Sequence, residues 1–257
     1  MNVMSDVVHY ELRDQVAWLT IDRPDARNAL NQPVRQGLFD GVRRFNADHD
    51  AKVLVLTGAG DLAFCAGADL KEMSEDGLQV PPPDFIPQFG RNIEVAKPTI
   101  AAVNGVAYAG GFLLAQTCDL CVAAENARFA ISEAKVGRGA PWAVPLPWLI
   151  PPRVAMEMLL TGDPIDAHRA YEVGLVNSVV PAAELQQATQ LLAERVASNA
   201  PLSVLAAKQM VRLIAEHPLG EAFAESDRIW RSALLSEDAQ EGPAAFREGR
   251  QPQWKGR

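Results

Sequence analysis

Glu133 stands between Ser132 and Ala134, directly after the largely apolar run Arg128-Phe129-Ala130-Ile131. A carboxyl group in small-residue, apolar surroundings is a candidate proton carrier, because burial disfavours its charged form and brings its pKa closer to working pH. Upstream, Ala109-Gly110-Gly111 opens the apolar segment Phe112 to Gln116, which reads as a helix. The first backbone N–H groups of a helix have no partner within it, and glycine lets a ligand approach them closely. Such a place suits a negative charge or a polarised carbonyl oxygen. Phe64-Cys65-Ala66-Gly67-Ala68-Asp69 leads into Leu70-Lys71-Glu72-Met73 as a second loop-to-helix passage, although a tight turn that needs glycine also accounts for it. A carboxylate together with an N–H donor site is the combination to follow, although Glu133 taken alone also reads as an ordinary strand-end or surface glutamate.

The elements that must position these residues follow from periodicity. Val7 to Leu12 and Val16 to Ile21 alternate around Asp14-Gln15 as a hairpin, and a loop from Arg23 to Asn31 follows. Pro33 suits a first helical turn, with Val34, Leu38, Val42 and Phe45 at helical spacing. Val53 to Leu56 and Thr99 to Val103 read as buried strands, the second after Lys97-Pro98 and bounded by Asn104-Gly105. Ser74 to Gly90, acidic and carrying Pro81-Pro82-Pro83, reads as a surface loop able to cover a site, and Arg91 to Ala96 as a short helix. From Ala140 to Pro152 two tryptophans lie among five prolines, a rigid apolar wall in which Trp142 leans towards the pocket and Trp148 fits core or pocket equally. Arg153 to Leu160 and Asp166 to Glu172 read as helices and Leu175 to Val180 as a strand. Ala183 to Ser198, Pro201 to Glu216 and Leu219 to Leu235 then form a helical tail. The front is mixed α/β.

A net charge of -8 and a pI near 5.1 argue against nucleic acid as partner, and no basic amphipathic run suggests a membrane surface. The opening MNVMSDVVHYELRD has neither the basic start nor the apolar core of a signal peptide, so the cytoplasm is the expected compartment. Cys118 and Cys121 form a lone CxxC without a second pair, and His9, His49, His168 and His217 are scattered. Core packing is therefore the adopted reading, and no metal site is expected. Gly58-Ala59-Gly60-Asp61-Leu62-Ala63 formally matches a dinucleotide fingerprint, but no clean amphipathic helix follows it.

Taken in order, the chain resembles the crotonase, or enoyl-CoA hydratase/isomerase, superfamily from end to end. The resemblance rests on Arg23-Pro24 with Asn28-Ala29-Leu30-Asn31, on Phe64 to Leu70, and on Lys97-Pro98 through Asn104-Gly105 to Gly110-Gly111. It continues with Cys118-Asp119, Phe129 to Gly137, Leu160-Thr161-Gly162, Ala170 to Val176 and Ser236 to Arg250. It implies an α/β fold in which ββα units form a spiral core over 1–182, with a helical trimerisation region over 183–257. It also implies assembly as a homotrimer or homohexamer, and an acyl-CoA substrate of the kind handled in fatty acid metabolism. No cofactor is implied beyond the coenzyme A moiety of that substrate.

By position, the resemblance makes the Ala68 and Gly110 N–H groups an oxyanion hole and Glu133 the acid/base. It places coenzyme A against Arg27, Ala29, Ala66, Asp69, Leu70 and Lys71, with Lys71 and Lys255 as candidate phosphate partners. Hydratases of the family use two glutamates. Here the first position is Leu113, and the turn that is normally glycine-rich reads Ala140-Pro141-Trp142-Ala143-Val144. One carboxylate suffices to move a proton between carbons, as in the family's enoyl-CoA isomerases. Leu149-Ile150-Pro151-Pro152, Glu157-Met158 and Phe112 are instead similar to the carnitinyl-CoA dehydratase branch, which keeps both glutamates. A raised pKa is expected for Glu133 beside Leu113 and Trp142. A low-turnover acyl-CoA-binding protein and an acyl-CoA thioesterase remain as alternatives. No G-x-S-x-G segment supports a serine route.

Overall fold

The structure, a computed structural model, describes residues 6–75 and 77–257. The first five residues of the opening segment, and Asp76 within the Ser74–Gly90 loop, lie outside them. The chain begins with the expected hairpin, β1 (Val8–Arg13) paired antiparallel with β2 (Val16–Ile21), and continues into α1 (Gln32–Ala47). The Asn31 side chain caps α1 by accepting from the Val34 N–H, and Val34, Leu38, Val42 and Phe45 face inwards as their spacing requires.

The next elements alternate between two sheets. β3 (Val53–Gly58) belongs to a large sheet and β4 (Ala63–Cys65) to a small one, followed by helix α2 (Leu70–Glu75). The step repeats with β5 (Thr99–Val103), β6 (Val106–Tyr108) and α3 (Gly110–Thr117). It repeats again with β7 (Leu120–Ala124), β8 (Arg128–Ala130) and a 3-10 turn over Ser132–Val136. Three turns of a ββα spiral result. Short helices α4 (Leu146–Leu149) and α5 (Pro152–Thr161) precede β9 (Ile165–Asp166), which pairs with β8, and α6 (Ala167–Glu172) precedes β10 (Ser178–Val180). The large sheet runs β1-β2-β3-β5-β7-β10 and the small one β4-β6-β8-β9.

Parallel strands covered on both faces read as continuous apolar runs. In β3 and β5 the alternation is resolved only by what packs on each side. Val53, Val55, Ile100 and Ala102 point to one cluster, and Leu54, Leu56, Ala101 and Val103 to the main core. The first cluster is closed by α7 (Leu185–Ala197), which contributes Leu185, Ala193 and Ala197. Helix α7 thus lies on the sheet itself. Helices α8 (Pro201–Leu213), α9 (Leu219–Leu234) and α10 (Asp238–Glu248) follow as the tail.

Three local expectations are corrected. Arg91 to Ala96 is not helical: Phe89 and Ile93 form a bridge, and the Asn92 side chain donates to the Pro83 and Ile86 carbonyls, which ties this stretch to the preceding loop. Trp148 is neither core nor pocket but 59% exposed. The core-packing reading of the lone CxxC holds for one of its two cysteines: Cys118 caps α3 and is half-buried, whereas Cys121, on β7, is buried in the main core, where burial pushes its thiol up to about 12. Gly58–Ala63 runs from β3 straight into β4 with no helix between. Among the described residues, no helix is long and apolar enough to cross a membrane.

One glycine sets how closely α3 approaches the small sheet. A Cβ on Gly111 would lie 2.0 Å from the Cys65 carbonyl oxygen, inside any van der Waals contact and against backbone that cannot yield. Gly111→Ala is therefore expected to cost about 3 kcal/mol or more of stability, readable as a lowered midpoint in urea unfolding. An unchanged midpoint would mean that α3 does not sit this close.

Candidate active site

Two turns bring backbone amides together. In the first, Leu30 forms an isolated parallel bridge with Ala68, between β4 and α2: the Leu30 N–H donates to the Gly67 carbonyl and the Asp69 N–H to the Leu30 carbonyl. A parallel bridge of this pattern uses the groups on either side of Ala68 and leaves its own N–H free. Buried Asn28 holds the approach, donating to the Ala59 and Ala63 carbonyls and accepting from the Arg23 N–H. In the second turn, Ala109 adopts φ 49°, ψ −118°, a conformation that costs a non-glycine residue on the order of 1–3 kcal/mol. Its N–H donates to Ala130 and its carbonyl accepts from Leu113, so the chain is anchored on both sides while the Gly110 N–H opens the helix unpaired.

Among the described residues neither the Ala68 nor the Gly110 N–H has a protein acceptor. The turns are adjacent. A Cβ placed on Gly110 would lie 3.7 Å from the Ala68 nitrogen, and one on Gly67 would lie 3.4 Å from the Gly110 nitrogen. Gly67, at φ +102°, keeps a conformation that a side chain would strain.

Ala68 and Gly110 both line a cavity of about 750 Å³. Glu133 lines it from the turn after β8, and Leu113 and Trp142 line it from α3 and from the 3-10 turn over Pro141–Ala143. The Trp142 Nε1–H donates to Glu133 Oε1 at 2.9 Å, and Oε2 is buried without a hydrogen-bond partner among the described residues. Leaving such an acceptor unpaired costs about 1–3 kcal/mol, more when it is charged. Burial accordingly holds the Glu133 carboxyl above its ordinary range, against the opposing effect of hydrogen bonds from its own backbone and from Trp142. Leu113 is 4% exposed and offers no proton.

Of the other residues singled out in the sequence, Ala29, Ala66, Asp69, Leu70 and Lys71 line the same cavity. Arg27 is exposed and is not among the lining residues; Arg23 takes the place beside the cavity, donating to the Ala29 carbonyl and pairing with Asp69 at 3.2 Å. That pairing helps hold the Asp69 carboxyl below its usual range despite burial. Lys255 is remote: its ammonium pairs with Glu237 at 2.7 Å and it lines a separate cavity of about 530 Å³ near Lys97 and Trp254. The Ser74–Gly90 loop supplies Gln79 to Pro83, Phe85 and Ile86 as one wall. Arg138 latches this loop by donating to the Leu78 and Gln79 carbonyls. Sequence reading missed Arg138 and Ile86, because neither spacing nor composition marks a residue that acts across a long loop.

The family model described as enoyl-CoA hydratase/isomerase matches residues 11–257. A carnitinyl-CoA dehydratase of Proteus mirabilis is 37% identical over 268 residues, covering 99% of this chain and all of the relative. One from Salmonella typhi is 38% identical over 264 residues with the same coverage. Among solved structures, a probable enoyl-CoA hydratase/isomerase from Mycobacterium abscessus superposes with a TM-score of 0.88 at 40% identity, over 99% of this chain and 100% of that one. An enoyl-CoA hydratase from Mycobacterium tuberculosis gives 0.88 at 38% identity, over 98% and 100%. The spiral of ββα units, the match over nearly the whole chain and these relatives agree: the chain belongs to the enoyl-CoA hydratase/isomerase, or crotonase, family.

Proposed function

We propose that this protein relocates a proton on an enoyl-CoA thioester, moving its double bond from the 3 to the 2 position with Glu133 as sole acid/base. The carrying observation is that one cavity is lined by Ala68 and Gly110, whose amides have no acceptor among the described residues, and by Glu133 with one unpartnered carboxylate oxygen, with apolar Leu113 beside them. In this reading the thioester oxygen accepts from the Ala68 and Gly110 N–H groups. Glu133 Oε2 takes a proton from C2, and the electron pair passes into a dienolate whose oxygen is held at those two amides. The same carboxyl returns the proton at C4, leaving the double bond between C2 and C3. Donors fixed where charge develops are worth more than solvent, which must reorganise.

Ala29, Ala66, Asp69, Leu70 and Lys71 would border the coenzyme A portion, with the Arg23–Asp69 pair shaping its entrance. No cofactor beyond that portion of the substrate is required. Leu113, Ile86, Phe85 and Trp142 make the acyl end apolar. Exposed Leu219, Phe223, Leu234, Leu235 and Phe246 on and around α9 and α10 supply apolar surface of the kind a homotrimer or homohexamer would cover. The similarity to carnitinyl-CoA dehydratases favours a second reading, in which water is added or removed at C3 with Glu133 alone handling the proton.

Incubating the purified protein separately with a 3-enoyl-CoA, crotonyl-CoA and a saturated acyl-CoA tests these readings. Conversion of the 3-enoyl to the 2-enoyl thioester, at a rate well above any hydration of crotonyl-CoA, is expected. Faster hydration would favour the second reading. Release of free thiol would indicate a thioesterase, and binding of all three without turnover an acyl-CoA-binding protein; either would overturn the proposal.

A further inference from the structure

We infer that Trp142, held in place by Gln116, is the positioning residue that leaves Glu133 a single reactive oxygen, Oε2. The inference rests on the proposed role of Glu133 and goes beyond it, since a family acid/base says nothing about what orients the carboxyl once the partner glutamate is absent.

Three contacts carry it. The Trp142 Nε1–H donates to Oε1, so that oxygen is engaged. Oε2 is buried and has no donor among the described residues. The Trp142 carbonyl in turn accepts from Gln116 Nε2 at 3.1 Å, and the indole meets the Phe112 ring edge-on with centroids 6.0 Å apart. Gln116 and Phe112 are both on α3, the helix whose first residue supplies the Gly110 amide. One helix therefore sets the oxyanion donor at its start and, through Trp142, the rotamer of the base near its end. A glutamate without these contacts has three rotatable bonds, and a base whose reacting oxygen is delivered to one place avoids the entropic cost of finding it.

The charged groups of the packed elements leave this interaction undisturbed. Helix α3 and the Pro141–Ala143 turn carry none. On the turn of Glu133 itself, Lys135 pairs with Asp163 and Arg138 donates to loop carbonyls. Arg153 and Glu157 on α5 are exposed, Lys71 is exposed, and Asp69 is paired with Arg23. None of them contributes to the shift of the Glu133 carboxyl; burial raises it, and its own backbone N–H and then the Trp142 N–H oppose the rise.

Trp142→Phe keeps most of the ring and removes only the donor. It is expected to lower kcat on the 3-enoyl-CoA by about tenfold, the loss of one hydrogen bond to a charged group, with KM little changed. The acid limb of the kcat/KM profile should move to higher pH, because a donor that favours the charged form is gone. Gln116→Leu, assayed alongside, should shift both readouts in the same direction by less. It also serves as the deciding variant if Trp142→Phe does not fold. An acid limb that stays in place in the folded variants would reduce Trp142 to a wall residue and overturn the inference. Glu133→Gln, run in parallel, separates the two levels: if it retains full turnover, the reading of Glu133 itself has failed rather than its positioning.

Discussion

Glu133→Gln is expected to lower kcat on a 3-enoyl-CoA by roughly 10²–10⁴-fold while leaving acyl-CoA affinity close to that of the parent protein. The substitution is nearly isosteric. The amide oxygen still accepts the Trp142 N–H, so the wall made by Trp142 and Leu113, with Phe112 packed edge-on against Trp142, keeps its shape. What is lost is a group able to take a proton and give it back. Leu113, which lines the cavity beside Glu133, cannot carry a proton, and Asp69 on the same lining is paired with Arg23, which puts the expected loss at the upper end of that range. Turnover can be followed by the appearance of the conjugated thioester, affinity by calorimetry with a saturated acyl-CoA. Exchange of the C2 hydrogen in heavy water should vanish with turnover, since both need the same abstraction. Persistence of exchange in Glu133→Gln would assign the proton to another base and leave the cavity as a binding site.

The second large effect is expected at Gly110. Alanine there places a methyl group 3.7 Å from the Ala68 nitrogen, between the ends of Leu30 and Ile86 at 3.0 and 2.9 Å. Those neighbours are flexible side-chain ends that can shift, so the fold should survive. The space in front of the two amides should not. A thioester oxygen held off one donor loses stabilisation mainly in the transition state, and kcat/KM should fall by roughly 10²–10³-fold with kcat carrying most of the change. The contrast with Gly111 sharpens the test. A methyl at Gly111 meets the Cys65 backbone and should act on stability, whereas one at Gly110 should act on rate with little change in urea midpoint. Equal effects of the two substitutions on both readouts would mean that Gly110 serves packing alone.

Many of the individual elements were legible in the sequence because their signals are local, whereas the ββα spiral that joins them was implied only by the resemblance to the family. The capped helix from Gln32, the hairpin around Asp14-Gln15 and the buried strand from Thr99 are each fixed by periodicity and turn residues within a short window. The expected helix at Arg91–Ala96 failed for the opposite reason. Its hydrogen bonds go to the preceding loop through Asn92, a choice no local propensity records. Trp148 failed similarly: an aromatic among prolines is apolar in composition, yet its place on the short helix α4 leaves it outside.

At the site, the sequence by itself determined the chemical inventory: a carboxyl at Glu133, small residues at Ala68 and Gly110, and an apolar leucine at 113, to which only the resemblance to the family gave positions around a site. Only the tertiary structure decided which lone pairs and donors remain free. That the Leu30 bridge skips the Ala68 amide, that Trp142 engages one oxygen of Glu133 and leaves the other bare, and that Arg23 rather than Arg27 borders the cavity all depend on long-range packing. Residue identity sets what a group can do; hydrogen bonds across the fold set which of its atoms are left to do it.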